Sequence, residues 1–556
     1  MYGYCTWKIV AWNTYLPAVL LCRGRKVLMP EDNPLKLADI TPNYHPELLA
    51  KKISILILGG GFAGVEALRC LQNEFKKMQS VEVTLISRDN FLLFTPMLPE
   101  AAVGEVDARH IATPIRAFCK RRNIKFLQAD VQEIDLVDKH VTIAVPIDYD
   151  NSTGYNQNGS YKNDGQGIAQ TSSPYGVYHR ILRYDYLIIA LGSITKFYGM
   201  QDVEEHSFTI KNLADSLILR NHIINMLEKA EVEYNNEQLR KRLLTFVVVG
   251  GGFSGVETVG EINDFVRGSI KEYYKGMDAN KDVRVILVNS HEQILPETSE
   301  ELGKYALQKL KEKGIEFIPN VHASGATTDS VKLNDGKVIP TCTIVWTAGV
   351  TPDQLVKDLP CDNEKGRIKT DSYLEIEGYP GVFAIGDCAS VMDPHTGKPY
   401  PPTAQIALRE ARVAAANLAS IIKNKGNKMR SFAYKNKGFM AEIGKRNAVA
   451  NIFGRNLRGT IAWMLWRSFY LSGLPTSNKK VRVISDWTID LIFGHDVTMV
   501  KILEQRRSTL KRIEQHETQE KKHHSEESAH AMHGKKSISP KSQNEEARSA
   551  RRTEAT

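Results

Sequence analysis

The chain has 556 residues, 42% hydrophobic and 25% charged, with 73 Lys and Arg against 64 Asp and Glu for a net charge of +9. That length exceeds what one hydrophobic core serves and predicts two or three compact units, while the composition excludes a collagen-like or wholly disordered chain. The mild basic excess suits an anionic lipid surface, carries no nucleic-acid signature, and decides nothing alone.

Seven cysteines (Cys5, Cys22, Cys70, Cys119, Cys342, Cys361, Cys388) are scattered and odd in number. No CxxC pair or Cys/His metal spacing is present, so a reducing compartment and no metal site are expected. No apolar run reaches the roughly 18 residues of a spanning helix. The nearest, IVAWNTYLPAVLLC at 9–22, contains Asn13 and Pro17 and lacks a small-residue cleavage site. Residues 1–50 are therefore read as an N-terminal extension of unknown role, and the protein is expected inside the cell.

KKISILILGGG opens the globular part as a buried parallel strand stopping at glycines. The helix GVEALRCLQNEFKK and the strand VEVTLISR at 81–88 complete one βαβ unit. Residues 148–176 are rich in Asn, Gly, Ser and Tyr with few apolar residues, and predict a surface insertion at a hairpin tip. YDYLIIALG at 184–192 resumes the fold. The cycle then repeats as LLTFVVVGGG, GVETVGEINDFVRGSI and VRVILVNS at 283–290. After residue 430 three Trp and several large apolar residues interleave with Arg and Lys, as in an amphipathic helix pair at a membrane interface or in a dimer or domain cap. Beyond about 502 a charged tail carries His523, His524, His530 and His533, read as solvated.

The octets GGGFAGVE (59–66) and GGGFSGVE (250–257) each hold the spacing G-x-G-x-x-G between a strand and a helix. In that spacing one glycine makes the turn, the next admits a pyrophosphate, and the third lets helix pack on strand, with free helix N–H groups facing the phosphates. Two copies imply two dinucleotides, and nicotinamide-to-flavin electron transfer is the simplest use of two. Candidate contacts are Gly59, Gly61, Phe62, Ala63 and Gly64 in the first loop, and Gly250, Gly252, Phe253 and Gly255 in the second. The residue ending the second strand of each repeat normally binds a ribose hydroxyl through a carboxylate. Here it is Ser87, followed by Arg88, and Asn289. Loss of a negative charge at Asn289 leaves NADPH open beside NADH.

GVFAIGDCA at 381–389 resembles the second FAD signature of the two-dinucleotide flavoprotein superfamily, which implies that Gly386 and Asp387 contact FAD. The crossover segments ALG (190–192) and WTAG (346–349) add Ala190 and Gly192 on the FAD side and Ala348 and Gly349 on the nicotinamide side. PPTAQIALREA at 401–411, FLLFTPMLPEAAVG at 91–104 and GFMAEIGKRNAVA at 438–450 closely resemble type II NADH:quinone oxidoreductases over about residues 52–500. The resemblance implies an α/β fold of two Rossmann-like dinucleotide-binding domains, the NAD domain inserted in the FAD domain, plus C-terminal amphipathic membrane-docking helices. The expected parts are a discontinuous FAD domain (51–200 and 350–430), an NAD(P)H domain (201–349), a docking region (431–500) and a tail (501–556). It further implies Thr95 and Pro96 near the flavin, Ala404 and Gln405 at the flavin and quinone interface, and Glu257 between nicotinamide and flavin. Glu257 and Gln405 are the catalytic candidates, whereas Glu66 reads as a helix-start carboxylate. A quinone, a homodimer and the cytoplasmic face of the cell membrane complete the expectation. The alternatives are a sulfide:quinone oxidoreductase-like enzyme and a non-respiratory NADH-binding flavoprotein resembling apoptosis-inducing factor.

Overall fold

The computed structural model describes residues 20–22, 25–27, 52–146, 177–425 and 428–499. The insertion at 148–176, the tail histidines and most of the N-terminal extension lie outside them. Within residues 1–52, described by itself, Leu20–Cys22 pairs antiparallel with Arg25–Val27.

The remaining chain begins with β1 (Ile53–Leu58), α1 (Phe62–Glu74) and β2 (Val81–Ser87). A short helix α2 (Leu98–Val103) precedes β3 (Ile124–Gln128) and β4 (Tyr186–Ile189). Between β3 and β4, His140–Pro146 and Val177–Arg183 pair antiparallel, so the arms flanking the insertion form a hairpin. Next come the long helix α3 (Leu213–Val232), then β5 (Thr245–Val249), α4 (Phe253–Tyr273), β6 (Arg284–Val288), β7 (Ile315–Ile318) and β8 (Thr343–Trp346). The chain continues through β9 (Val382–Ala384) and the alanine-rich α5 (Ala404–Ile422). The last described elements are β10 (Gly438–Glu442), β11 (Ala448–Ile452), β12 (Arg455–Arg458), α6 (Gly459–Gly473) and α7 (Ser477–Phe493).

Two parallel sheets carry the architecture. One has the order β9-β4-β1-β2-β3 and takes its edge strand from beyond the second repeat; the other is β7-β6-β5-β8. Each glycine loop leaves an inner strand, β1 or β5, at its carboxyl end, where ligands of open α/β sheets bind. The segments after the two crossovers, Ile194–Thr195 and Val350–Thr351, pair antiparallel with each other, so both chain passages between the sheets run side by side.

On the first sheet, α5 lies along α1. Small buried residues (Ala407, Ala411, Ala414, Ala415) permit that close approach. The second core is shared more widely. Trp466 of α6 and Val483 and Trp487 of α7 belong to the same buried cluster as Met97 and Leu98 near α2, Phe265 of α4 and Ala441 of β10. The C-terminal helices are thus part of the core, and Trp466 is 1% exposed. The tryptophans expected at a membrane interface point inward instead, because each indole N–H has a buried acceptor.

Candidate active site

Both glycine helices start without a side-chain cap: Gly61 and Gly252 are the N-cap residues, and neither first turn holds a carboxylate. A Cβ added at Gly61 or Gly252 would meet nothing within 4 Å, whereas at Gly64 and Gly255 it would lie 1.9 and 1.8 Å from the carbonyls of Gly59 and Gly250. Each loop is therefore an open cradle over orphan helix N–H groups, braced by a glycine that admits no side chain. That geometry fits a pyrophosphate.

The second strands buttress the loops. A Cβ at Gly60 would fall 2.5 Å from Ser87 Oγ, and one at Gly251 2.6 Å from Asn289 Cγ. Asn289 is committed to the loop itself: Gly251 N–H donates to its Oδ1 at 3.0 Å, and its Nδ2 donates to the carbonyls of His291 and Gln293. Its amide braces the cradle. Arg284, at the other end of β6, is paired with Glu316, and Arg88 turns outward to Asp130. Thr347 adds a second brace the motif does not show, with its hydroxyl donating to Val249 O at 2.9 Å. Tyr198 O–H donates to Ala348 O at 3.0 Å and covers Gly349.

At the first site Asp387 accepts a hydrogen bond from Ser193 Oγ at 2.7 Å, and Lys211 Nζ stands 3.8 Å away. Gly386 N–H donates to Glu410 Oε2 at 2.6 Å, and burial pushes Glu410 up to about 7. Ser193 and Lys211 escape sequence reading because no quoted motif contains them, and Glu410, though inside PPTAQIALREA, shows its role only through the Gly386 N–H it meets. Ala190 packs its carbonyl against Gly59, and Gly192 has a left-handed φ of 72°.

Between α1, α5 and α6 lies a cavity of about 320 Å³. Phe62, Phe94, Pro96, Ala404, Gln405 and Tyr470 are among its lining residues, so the fold brings together the first loop, the Thr95-Pro96 turn and the start of α5. Gln405 Oε1 accepts from Tyr434 O–H at 3.2 Å. Glu66 also lines this cavity, where it is buried and paired with Arg412 (2.7 Å) and Arg69 (3.1 Å). It is an ion-pair hub across α1 and α5 and not the helix-start carboxylate expected, because the helix begins at Phe62 and places Glu66 beyond the first turn.

Glu257 does not line the cavity and sits behind it. Its Oε1 accepts Trp466 Nε1–H and the backbone N–H of Glu442, both at 3.3 Å, and burial pushes it up to about 8. Trp466 in turn packs edge-on against Tyr470, with centroids 4.6 Å apart. The arrangement offers two phosphate cradles, an apolar cavity with one amide able to hold a carbonyl, and a carboxyl that carries a proton at neutral pH.

Comparison with known proteins agrees with this layout. The family profile "Pyridine nucleotide-disulphide oxidoreductase" matches residues 53–411, and "NDH2 C-terminal domain" matches 436–496. A Dictyostelium discoideum protein named "Probable NADH dehydrogenase" is 32% identical, over 80% of this chain and 90% of its own. The "Type II NADH:quinone oxidoreductase Ndh" of Mycobacterium tuberculosis is 30% identical, over 79% and 88%. The NDH2 of Plasmodium falciparum, solved in complex with NADH, superposes with a TM-score of 0.69 at 23% identity, covering 80% of this chain and all of that one.

Proposed function

The chain belongs to the pyridine nucleotide-disulphide oxidoreductase family, in its type II NADH:quinone oxidoreductase branch, and from that premise we propose how its own residues carry the reaction. It is a flavoprotein oxidoreductase that uses FAD to pass electrons from NADH to a quinone. FAD, when bound, supplies a two-electron acceptor that neither a side chain nor the backbone can replace.

The first cradle (Gly59, Gly61, Gly64) holds FAD with Ser87 and Asp387, and the second (Gly250, Gly252, Gly255) holds the nicotinamide dinucleotide. The supporting observation is the difference in surroundings: the Gly59 loop opens beside the 320 Å³ cavity through Phe62, and the Gly250 loop leads into α4 and Glu257. Gln405 orients a quinone carbonyl by its amide, and the apolar walls exclude water. Glu257 holds a proton near the cavity wall, as quinol formation requires one proton besides the hydride. Because Asn289 is spent on the loop, the second site lacks the charge that repels a 2′-phosphate, which leaves NADPH a slower alternative donor.

Among the described residues no helix is long and apolar enough to cross a membrane. The outer face of α6 and α7 supports peripheral docking: Ile461, Met464, Ile492 and Phe493 are 67%, 61%, 66% and 71% exposed. Docking on the cytoplasmic face of the cell membrane, as a homodimer, completes the reading. Persulfide chemistry fits less well, since burial pushes the Cys70 and Cys388 thiols up to about 11 and 12 and disfavours a reactive thiolate.

The test is steady-state turnover with NADH and NADPH against soluble ubiquinone and menaquinone analogues. Rapid quinone reduction is expected; a flavin bleached by NADH that quinone cannot reoxidise overturns the reading.

A further inference from the structure

Glu100, Glu105, Glu257, Glu261 and Glu442 come from widely separated parts of the sequence, yet each is no more than 8% exposed. α2 and the turn after it supply the first two, adjacent turns of α4 supply Glu257 and Glu261, and β10 supplies Glu442. The C-terminal helices roof them. Trp463, Trp466 and Trp487 donate their indole N–H groups to Glu442, Glu257 and Glu100 at 2.6, 3.3 and 3.1 Å. Arg467 contacts Glu105, stands 3.9 Å from Glu100, and lies over the rings of Trp463 and Trp487 at 4.1 and 4.6 Å.

Among the described residues Arg467 is the one guanidinium within this set of five carboxyl groups, with Lys313 acting on Glu261 from the edge. Full ionisation would leave a net four negative charges buried, and even a partly relaxed buried ion costs several kcal/mol. Glu100, Glu261 and Glu442, so coupled, titrate as a set. Both oxygens of Glu261 and Oε2 of Glu100 and Glu105 have no hydrogen-bond partner among the described residues. Burial and mutual repulsion hold Glu100, Glu261 and Glu442 well above the usual carboxylate range.

The other titratable and charged groups facing the set are Asp264 on α4, Lys313 after the following helix, and Arg467 and Tyr470 on α6; α7 faces it with Trp487. Lys313 and Asp264 pair at 2.5 Å and are 18% and 17% exposed, marking an outer edge. Tyr470 marks the inner one: it lines the cavity, packs edge-on against the Trp466 that holds Glu257, and has its phenol pushed up by burial first and then by Glu257 and Glu442.

We propose that Glu100, Glu257, Glu261 and Glu442 form a shared proton store for the cavity, with Glu105 held by Arg467 and Tyr470 as the contact between store and cavity. The inference rests on the quinone-reductase reading above. Each turnover converts NADH, one proton and quinone into NAD⁺ and quinol. The Tyr470 hydroxyl gives its proton to the quinone oxygen and regains one from the store. A proton from water then refills the store through the Asp264 and Lys313 edge, so the set returns to its starting charge.

The test is rapid mixing of NADH-reduced holoenzyme with a soluble ubiquinone analogue in weak buffer containing a pH-indicator dye. In the unmodified protein the first quinol is expected to form at least threefold faster than bulk proton uptake. Glu261→Gln and Glu442→Gln, which keep a neutral side chain of the same size, should shorten that lag. They should also slow quinol formation about fivefold above pH 8, relative to each variant's own ferricyanide turnover, which needs no proton. Proton uptake that keeps pace with quinol in the unmodified protein at every pH from 6 to 9 overturns the store, and that measurement needs no substitution. Variants equal to the unmodified protein in lag and in quinol-to-ferricyanide ratio overturn it as well. Ferricyanide turnover without any quinol overturns the underlying quinone reading instead.

Discussion

The indole Nε1 of Trp466 lies 3.3 Å from Oε1 of Glu257, so a residue of the C-terminal helix pair governs the carboxyl that follows the second glycine loop. The donated N–H favours the ionised form and opposes the burial that pushes Glu257 up to about 8. Trp466→Phe keeps an aromatic ring and removes the donor. A hydrogen bond to a charged group is worth roughly 1.5–3 kcal/mol. The alkaline limb of quinone turnover should therefore move up by about one pH unit or more in a kcat-against-pH profile, and a downward shift would reverse the assigned sign.

Glu257→Gln removes a proton donor while preserving shape, and quinone turnover should fall roughly 10²-fold with FAD still bound. The same variant has a stability signature. Folded Glu257 loses its proton near pH 8 and an ordinary glutamate near 4.5, so between those values the folded state binds the extra proton. Stability contributed by this group is full below 4.5 and lost as pH rises toward 8. Thermal melts should show a flatter decline for Glu257→Gln across that window.

Asn289→Asp sets a carboxylate against the carbonyls of His291 and Gln293, which now accept from Nδ2. Leaving such groups unpaired costs roughly 1–3 kcal/mol. The KM for NADH should rise about tenfold, with NADPH turnover reduced further by charge, and the flavin spectrum unchanged. An improved KM for NADH would mean that residue 289 reaches the ribose after all.

The two cradles predict separable losses. Gly61→Ala places a methyl group where the first pyrophosphate fits, and purified protein should retain little FAD. Gly252→Ala does the same at the second cradle, so FAD content should be normal and the KM for NADH raised about tenfold or more. Absorbance at the flavin band and titration with NADH separate the outcomes. Equal FAD loss in both would remove the assignment of the second loop.

Removing everything after residue 455 would strip Ala462, Trp466, Val483 and Trp487 from the core and is expected to unfold the protein. Ile461→Glu with Ile492→Glu instead changes exposed positions alone. The pair should leave melting temperature within a few degrees and cut sedimentation with anionic phospholipid vesicles at least fivefold. Undiminished sedimentation would locate docking elsewhere.

Strand, glycine turn and helix are contiguous, so both glycine loops and the strand and helix on either side of each were legible in the sequence. The Trp and Arg mixture after residue 453 was legible as amphipathic helix but not in direction. Nothing local says that Trp463, Trp466 and Trp487 turn toward carboxylates from α2, α4 and β10, leaving isoleucine, methionine and phenylalanine outside. Asn289 likewise reads as a ribose contact until the backbone of residues 251, 291 and 293 is seen to claim its amide.

The two octets show where the boundary falls. Sequence alone determined that each ends one turn into a helix with a glutamate, at 66 and at 257, because the backbone path from glycine turn to helix is a local property. Tertiary structure decided what those glutamates are. Glu66 meets Arg412 across the α1 and α5 contact and is paired, whereas Glu257 meets the indole of Trp466 and, among the described residues, no cation, so burial leaves it holding a proton. The same eight-residue device yields a salt-bridge hub in one copy and an acid in the other, because charge state depends on neighbours that are hundreds of residues away in sequence.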